Sequence, residues 1–200
     1  MARELTLVAA LLVGLSAPSA MPQALTQAEA DSMGRKLQLM LEQGEKTRPK
    51  TAAPVRTAFS EREVNAYFKH YGPAFMPAGV VDPQVTILDG GRVAARAVAD
   101  LDAVRKSKER GWLDPMNLIT GSLEVKMAGK VLGANGVGVL QIESASVGGV
   151  PVSKALLREL VAFYTKTPEN PNGFDIDKPF AMPVNIKSFE TKVGGATVVQ

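Results

Sequence analysis

The spacing of hydrophobic and polar positions changes several times along the chain, and each change predicts a new element. Residues 30–41 and 64–71 carry apolar side chains three and four positions apart, as on one face of a helix. Thr26-Gln27-Ala28-Glu29 precedes the first stretch and Ser60-Glu61-Arg62-Glu63 the second, and both are typical of a capping box. The spacing therefore predicts two amphipathic helices.

Alternating positions between and after these helices predict antiparallel hairpins. Strands 84–88 and 92–104 turn at Asp89-Gly90-Gly91, and strands 118–130 and 137–147 turn at Asn135-Gly136, because glycine and asparagine accept positive φ. The apolar residues expected on one side of the strand 92–104 are Val93, Ala95, Ala97, Ala99 and Leu101.

A third helix is predicted after Ser153, and a last hairpin is predicted over 184–192 and 196–199. This order predicts an α+β fold, with a curved antiparallel sheet of hairpins packed on or wrapped around two to three helices. The curvature is inferred from glycines in the strands, which often mark bulges and bends: Gly121, Gly129, Gly133 and Gly138. A flat sheet covered by two helices fits the same pattern.

The chain is interpreted as a signal peptide over 1–20, an N-terminal helix and linker over 21–50, and one α+β domain over 51–200. The signal peptide is assigned from a positive residue, an apolar run and small residues before the cleavage site: Arg3, residues 5–15 and the residues up to Ala20. They predict export to the periplasm, the cell envelope or the medium. A short anchor or a buried helix is the alternative. The pattern leaves open whether the helix at 25–44 packs on the domain.

Composition narrows the classes of function. The 200 residues include no cysteine, which excludes disulfides, thiolate metal sites and a cysteine nucleophile. The net charge of +3 suits anionic surfaces, but no nucleic-acid recognition motif is present.

Three sets of ionisable residues are candidates for a chemical site. His70 is the only histidine, and at a helix end its charge suits the dipole. Asp100 and Asp102 are expected on one solvated strand face, and Asp175 and Asp177 match a calcium loop only loosely. The sequence therefore predicts no catalytic residue, no metal and no cofactor.

Two binding surfaces are predicted instead. If the sheet curves strongly, an apolar groove would be lined by Val64, Tyr67, Phe68, Leu123, Val125, Met127, Val139, Ile142, Leu157, Leu160, Val161 and Tyr164. The cations near the only tryptophan predict a membrane or partner contact through Arg105, Lys106, Lys108, Arg110, Trp112 and Leu113. The alternative places Trp112 as a plug over the core.

Short motifs resemble the tubular lipid-binding (TULIP) superfamily. The run from Ser60 to Phe68 is similar to a helix start found in related small exported domains. Gly148-Gly149-Val150-Pro151 before a helix and the closing Phe180-x-Met182-Pro183 pattern add to the likeness, which extends from about Phe59 to the C-terminus. The resemblance implies a helix wrapped by a curved sheet, and lipid bound in the apolar interior.

These observations predict an exported envelope protein that binds an apolar ligand, of the lipid class, in a groove between helices and curved sheet. The alternative is a non-enzymatic structural or interaction module of the envelope with a solid core. Peripheral membrane contact is the other expected partnership, and nucleic acid is not expected.

Overall fold

A computed structural model describes residues 23–46, 49, 52–106, 120–166, 168 and 170–200. The predicted signal peptide over 1–20 lies outside the described residues. The helices are α1 (Gln27–Glu45), α2 (Glu61–Tyr71), α3 (Leu101–Lys106) and α4 (Lys154–Tyr164), with 3₁₀ turns at Gly72–Ala74 and Pro183–Asn185. The strands are β1 (Arg56–Ser60), β2 (Val80–Ile87), β3 (Arg92–Asp100), β4 (Ser122–Ala134), β5 (Val137–Val147), β6 (Val150–Pro151), β7 (Phe180–Ala181), β8 (Ser188–Lys192) and β9 (Gly195–Val199).

The strands form two antiparallel sheets. The larger has the order β2-β3-β4-β5-β6, with β7 also paired to β5, and the smaller has the order β1-β9-β8. The larger sheet is curved. The combination of helices with these antiparallel sheets confirms the predicted α+β class. The β4–β5 turn places Asn135 at φ 52° and Gly136 at φ 79°, as the Asn-Gly pair predicts.

Both predicted capping boxes are present. The Thr26 hydroxyl accepts the Glu29 N–H while the Glu29 carboxylate accepts the Thr26 N–H, and Ser60 and Glu63 do the same at α2. Each box satisfies N–H groups that a helix start leaves without partners. The two helices therefore begin where the sequence predicts.

Helix α1 packs on the rest of the molecule and does not stand off from it. Ser32 and Lys36 donate to Glu63 of α2 at 2.6 Å each, and Arg62 of α2 donates to Glu29 at 2.7 Å. Partial burial raises the pKa of Glu63, but the hydrogen bonds from Lys36, Ser32 and Ser60 outweigh it and lower that pKa to about 2. The hydrogen bond from Arg62, with those from Thr26, lowers the pKa of Glu29 to about 2.

The buried side chains concentrate where α1, α2 and the small sheet meet. Those of apolar type are Ala30, Met33, Met40, Ala66, Ile87, Ile176, Ala196, Val198 and Val199. The side chain of Gln200 is also buried, and its Nε2 donates to the carbonyls of Met40 and Val184. This contact ties the end of β9 to α1.

Two predicted strands are shorter than expected. Strand β3 ends at Asp100, whose carboxylate accepts the N–H groups of Asp102 and Ala103 at 3.0 Å and so starts α3. The predicted common strand face for Asp100 and Asp102 is therefore wrong. The last hairpin begins at Ser188 and not at 184, because Val184 has φ 48° within a 3₁₀ turn opened by Pro183.

The strand predicted over 118–130 is observed as β4, Ser122–Ala134, so it extends further toward the Asn135-Gly136 turn than expected. Residues 118 and 119 lie outside the described residues. Because β4 and β5 both reach that turn, the hairpin projects beyond Arg92, the first residue of β3.

Candidate functional site

One side of the larger sheet is apolar across its strands. Residues directly opposite in an antiparallel pair point to the same side, so the observed register defines a common face. We call it the apolar face, and it comprises Val85 and Ile87 of β2, Val93, Ala95, Ala97 and Ala99 of β3, Leu123, Val125, Met127 and Val131 of β4, and Leu140, Ile142, Ala145 and Val147 of β5. These side chains include no ionisable group.

The opposite side, the charged face, carries ion pairs. Glu143 lies 3.6 Å from Arg92 and 3.9 Å from Lys130, and Lys126 lies 2.7 Å from Glu124. All five side chains have substantial exposure. The sheet is thus amphipathic, with these ion pairs all on one of its two sides.

In the part of the chain that the structure describes, the apolar face is only partly covered in its middle. On β3, β4 and β5 none of its defining side chains is buried, and Met127 is 37% exposed. Cover is found at the β4–β5 turn, where the Phe180 ring approaches Gly138 and Met182 approaches Gly133, so closely that a Cβ on either glycine would clash. Side chains thus fill one end of the face and leave its middle partly open.

Helix α2 lies along the edge of the sheet at β2. Asn65 donates to the Val85 carbonyl at 2.8 Å and accepts its N–H at 2.7 Å, and Glu61 accepts the Ile87 N–H at 2.7 Å. These side chains occupy backbone groups that an edge strand otherwise presents to another chain. Neither role is predictable from the sequence, because no local pattern links α2 to β2.

Helix α4 borders the sheet at β5. The Ser153 hydroxyl accepts the Leu156 N–H at its start, as predicted. At its end, Thr165 accepts the Phe174 N–H at 2.6 Å, and the Phe174 ring lies edge-on to Phe180 with centroids 5.2 Å apart. Because Phe180 covers Gly138 on the apolar face, these contacts connect the C-terminal end of α4 to that face.

The predicted lining residues divide into several groups. Leu123, Val125, Met127 and Ile142 come together on the apolar face, whereas Val139 pairs with Leu132 on the opposite side. A bulge at Glu143, between the pairs Ala128–Ser144 and Gly129–Ile142, changes the register, but Val139 and Ile142 are three apart and point to opposite sides in any strand. Grouping Val139 with the others was therefore wrong.

The predicted lining residues on α2 and α4 do not share one environment. Tyr67 faces α1, since its ring lies 3.6 Å from the position of a Cβ on Gly34, and it stacks with Phe75 at 5.8 Å. The Tyr67 ring thus packs against α1 and Phe75, and its place in the predicted lining stays a prediction. Val64 and Phe68 on α2 and Leu157 and Val161 on α4 are half-buried, Leu160 is exposed, and the side chain of Tyr164 lies outside the described residues.

Two open hollows lie beyond the middle of the apolar face. One of about 680 Å³ is found where β8 meets the end of the β4–β5 hairpin, between Leu132, Val137, Val139 and Phe189, with Asp89 and Glu190 in its lining. The other, of about 580 Å³, lies between the end of α1, the β4–β5 turn and the 3₁₀ turn at Pro183–Asn185. Val139 is the one predicted lining residue that borders either hollow.

The ionisable candidates have structural partners. His70 Nε2 lies 3.3 Å from the Leu25 carbonyl, and Asp102 accepts the Gly121 N–H at 3.2 Å. The N–H of Asp177, with a hydrogen bond from Lys178, lowers the pKa of Asp175. Asp177 pairs with α4, at 2.5 Å from Lys154 and 3.7 Å from Arg158. In the described part of the chain, no three histidine, aspartate or glutamate side chains are grouped to hold a metal ion.

The predicted basic contact surface falls largely outside the described residues, which is where Lys108, Arg110, Trp112 and Leu113 lie. Lys106 is exposed at the end of α3. Arg105 belongs to α3, but its side chain is not described. This surface therefore stays a prediction.

Within the described ranges, every helix is too short or too polar to span a bilayer. Comparison with known protein families, with characterised proteins and with solved structures finds no match to this chain. The resemblance to the tubular lipid-binding superfamily stays a prediction.

Proposed function

We propose that this chain is an exported, non-enzymatic envelope protein that binds an apolar ligand of the lipid class against the apolar face of its larger sheet. The observation that carries the proposal is the incomplete cover of that face. Its side chains are entirely apolar, yet those of β3, β4 and β5 keep contact with water. Each Å² of apolar surface left in water costs about 25 cal/mol, so an apolar ligand would gain by occupying the face.

The chemistry of the face favours a hydrocarbon chain over a polar ligand. Small side chains, Ala95, Ala97 and Ala99, line β3, while larger ones, Leu123 and Val125, stand opposite on β4. These apolar side chains offer van der Waals contact and carry no hydrogen-bonding groups. A ligand held in this way is selected by its shape and apolar area.

The test introduces a charge on one face or the other of a single strand. Ala97→Glu would place a carboxylate on the apolar face, and Ala94→Glu is the matched control because Ala94 is also half-buried but lies on the charged face of β3. Burying a charge against an alkyl chain costs several kcal/mol, so we expect at least a tenfold loss of ligand in A97E alone. Native mass spectrometry after gentle purification from a membrane-containing lysate would measure the bound fraction.

The proposal fails if the wild-type protein shows a clean ligand-free mass, or if A97E retains ligand as well as A94E does. Circular dichroism of both variants would show that the fold is intact, so that loss of ligand in A97E reports the face itself.

A second candidate function, an interaction module of the envelope, is favoured by the hollow beside β8. Leu132 and Val137 are exposed there, and apolar side chains grouped at a concave surface often mark protein contacts. This module predicts that Leu132→Ser with Val137→Ser abolishes capture of a protein partner from an envelope extract while ligand retention is unchanged. Capture that survives the double substitution would contradict it.

A further inference from the structure

A buried amide borders the hollow between the end of α1, the β4–β5 turn and the 3₁₀ turn at Pro183–Asn185. Gln200 is 4% exposed, and its Nε2 donates to the carbonyls of Met40 at 2.8 Å and Val184 at 2.6 Å. These two acceptors fix the orientation of the amide, because turning it over would set its oxygen against two carbonyl oxygens. Among the described residues, Gln200 Oε1 is the buried side-chain oxygen or nitrogen that lacks a hydrogen-bond partner. A buried acceptor is costly to leave unpaired, so a ligand that donates to it would stabilise the site.

The backbone beside this hollow is strained at one residue. Val184 has φ 48°, a conformation that is rare for a residue with a branched side chain. Its carbonyl is one of the two that hold the Gln200 amide in place. Strained residues of this kind concentrate at ligand sites, where the surrounding fold maintains them. The strain therefore coincides with the unpaired oxygen and supports the hollow as a binding site.

The charged side chains of the lining narrow the chemistry of the ligand. Lys46 and Lys187 border the hollow with Glu45, and neither lysine forms an ion pair with the described residues. The Gln200 oxygen needs a donor, so an ionised carboxylate or phosphate cannot be its partner, and the two lysines disfavour an ammonium ion. The lysine ammonium groups in turn need acceptors. A hydroxyl group meets both needs, since its O–H donates while its oxygen accepts.

We propose that this hollow binds a saccharide, whose neutral hydroxyl groups contact Gln200 Oε1 and the ammonium groups of Lys46 and Lys187. The side-chain amides of Gln43 and Asn135 also line the hollow, and each can both donate to and accept from a hydroxyl group. The volume of about 580 Å³ lies within the range of small-molecule sites.

The saccharide site goes beyond the proposed function, because its lining is separate from the apolar face. Met182 lines the hollow and also approaches Gly133 at the covered end of that face, so the hollow adjoins this end. Sugar hydroxyl groups are found both in free saccharides and in the head groups of glycolipids. A glycolipid would place its head group in the hollow and its alkyl chain toward the apolar face, whereas a free saccharide would use the hollow alone.

Saturation-transfer NMR tests the site with four neutral disaccharides: maltose, trehalose, lactose and chitobiose. Each is used at about 10 mM, which would fill most of a site with a Kd of about 1 mM. We expect the wild-type protein to bind, and Lys187→Met to lose about fivefold in affinity because it removes a charged donor from the hollow. The matched control is Lys192→Met, since Lys192 is also exposed but does not line the hollow.

Gln200→Met removes the unpaired oxygen and should lower the affinity about tenfold or more. Because this variant also loses the bonds to Met40 and Val184, circular dichroism would check its fold, and Lys187→Met provides a variant that leaves those bonds intact. The proposal is overturned if the wild-type protein binds none of the four disaccharides, if K187M binds as tightly as K192M does, or if folded Q200M keeps the wild-type affinity.

Glucose and octyl glucoside, compared in the same experiment, distinguish the two sources of the sugar. Tighter binding of octyl glucoside that Ala97→Glu removes would support a glycolipid ligand, because that substitution charges the apolar face. Equal binding of the two compounds, unchanged in A97E, would support a free saccharide. In both cases A97E should bind glucose like the wild-type protein, so failure of the apolar face as a lipid site is distinguishable from failure of the hollow.

Discussion

Two parts of this molecule use the same apolar residue types in different ways. In the helix-backed region, formed by α1, α2, β1, β8 and β9, alanine, methionine and valine side chains are buried and polar side chains fasten the helices together. In the open region, formed by the apolar face of β3, β4 and β5 with α4 at its border, comparable side chains remain in contact with water. Burial of apolar side chains stabilises the first region, whereas the second keeps apolar surface that a ligand could cover.

A pair of methionines tests this difference most strongly. Met40 of α1 is 6% exposed and Met127 of β4 is 37% exposed. Met40→Ala should lower the free energy of unfolding by about 2–4 kcal/mol, because a buried methionine leaves a cavity, whereas Met127→Ala should cost about 1 kcal/mol or less. Urea unfolding of both variants would measure the difference. Equal losses would mean that the apolar face is as tightly packed as the core.

A substitution at the β2 edge of the sheet should give the next largest loss of unfolding free energy. Asn65→Ala removes both hydrogen bonds to Val85 and leaves the backbone groups of β2 without these partners. We expect a loss of about 1–3 kcal/mol in urea unfolding, while Lys69→Ala, an exposed change on the same helix, should stay within about 0.5 kcal/mol. If N65A were as mild as K69A, α2 would be held to the sheet by other contacts.

Acid should destabilise the fold through the helix-backed region, where two carboxylates have lowered pKa values. Glu29 and Glu63 have pKa values of about 2 in the fold, below the ordinary value of 4.5. Each therefore stabilises the fold fully above about pH 4.5, and that contribution is lost as pH falls from 4.5 toward 2. Unfolding experiments across this window should show falling stability.

Glu63→Gln isolates the charge at one of these sites. Glutamine preserves the capping box but removes the ion pair with Lys36, so we expect a loss of about 1 kcal/mol at neutral pH and a flatter pH dependence below 4.5. A slope unchanged from wild type would assign the acid sensitivity to other carboxylates.

The same contrast shows what could be predicted from sequence. The starts of α1 and α2 were predictable because Thr26 and Ser60 each form a capping box with a residue three positions away. The shared face of Val93 to Ala99 was predictable because strand alternation is local. The register bulge at Glu143 was not, since glycine in a strand signals a bend without fixing which partner residue is left over.

Features that depend on contacts between residues far apart in the sequence could not be predicted. The left-handed Val184 continues an alternating pattern in sequence, but its carbonyl accepts from Gln200, and Gly44 of α1 leaves room for its backbone. The edge contacts of Asn65 likewise join residues 20 apart. The candidate site itself was predicted in part: Leu123, Val125, Met127 and Ile142 share the face, but α2 seals an edge where a groove wall was expected.

The smallest change in unfolding free energy is expected for a substitution on the charged face. Glu143→Gln removes the ion pairs with Arg92 and Lys130, whose atoms lie 3.6 Å and 3.9 Å from the carboxylate between well-exposed side chains. Solvent screens such pairs, so the free energy of unfolding should fall by less than about 0.5 kcal/mol, with little further change in high salt. A loss above about 1 kcal/mol would mean that this face is less solvated than its exposure indicates. The charged face would then be packed more like the helix-backed region, and Ala94→Glu would no longer serve as a neutral control for Ala97→Glu.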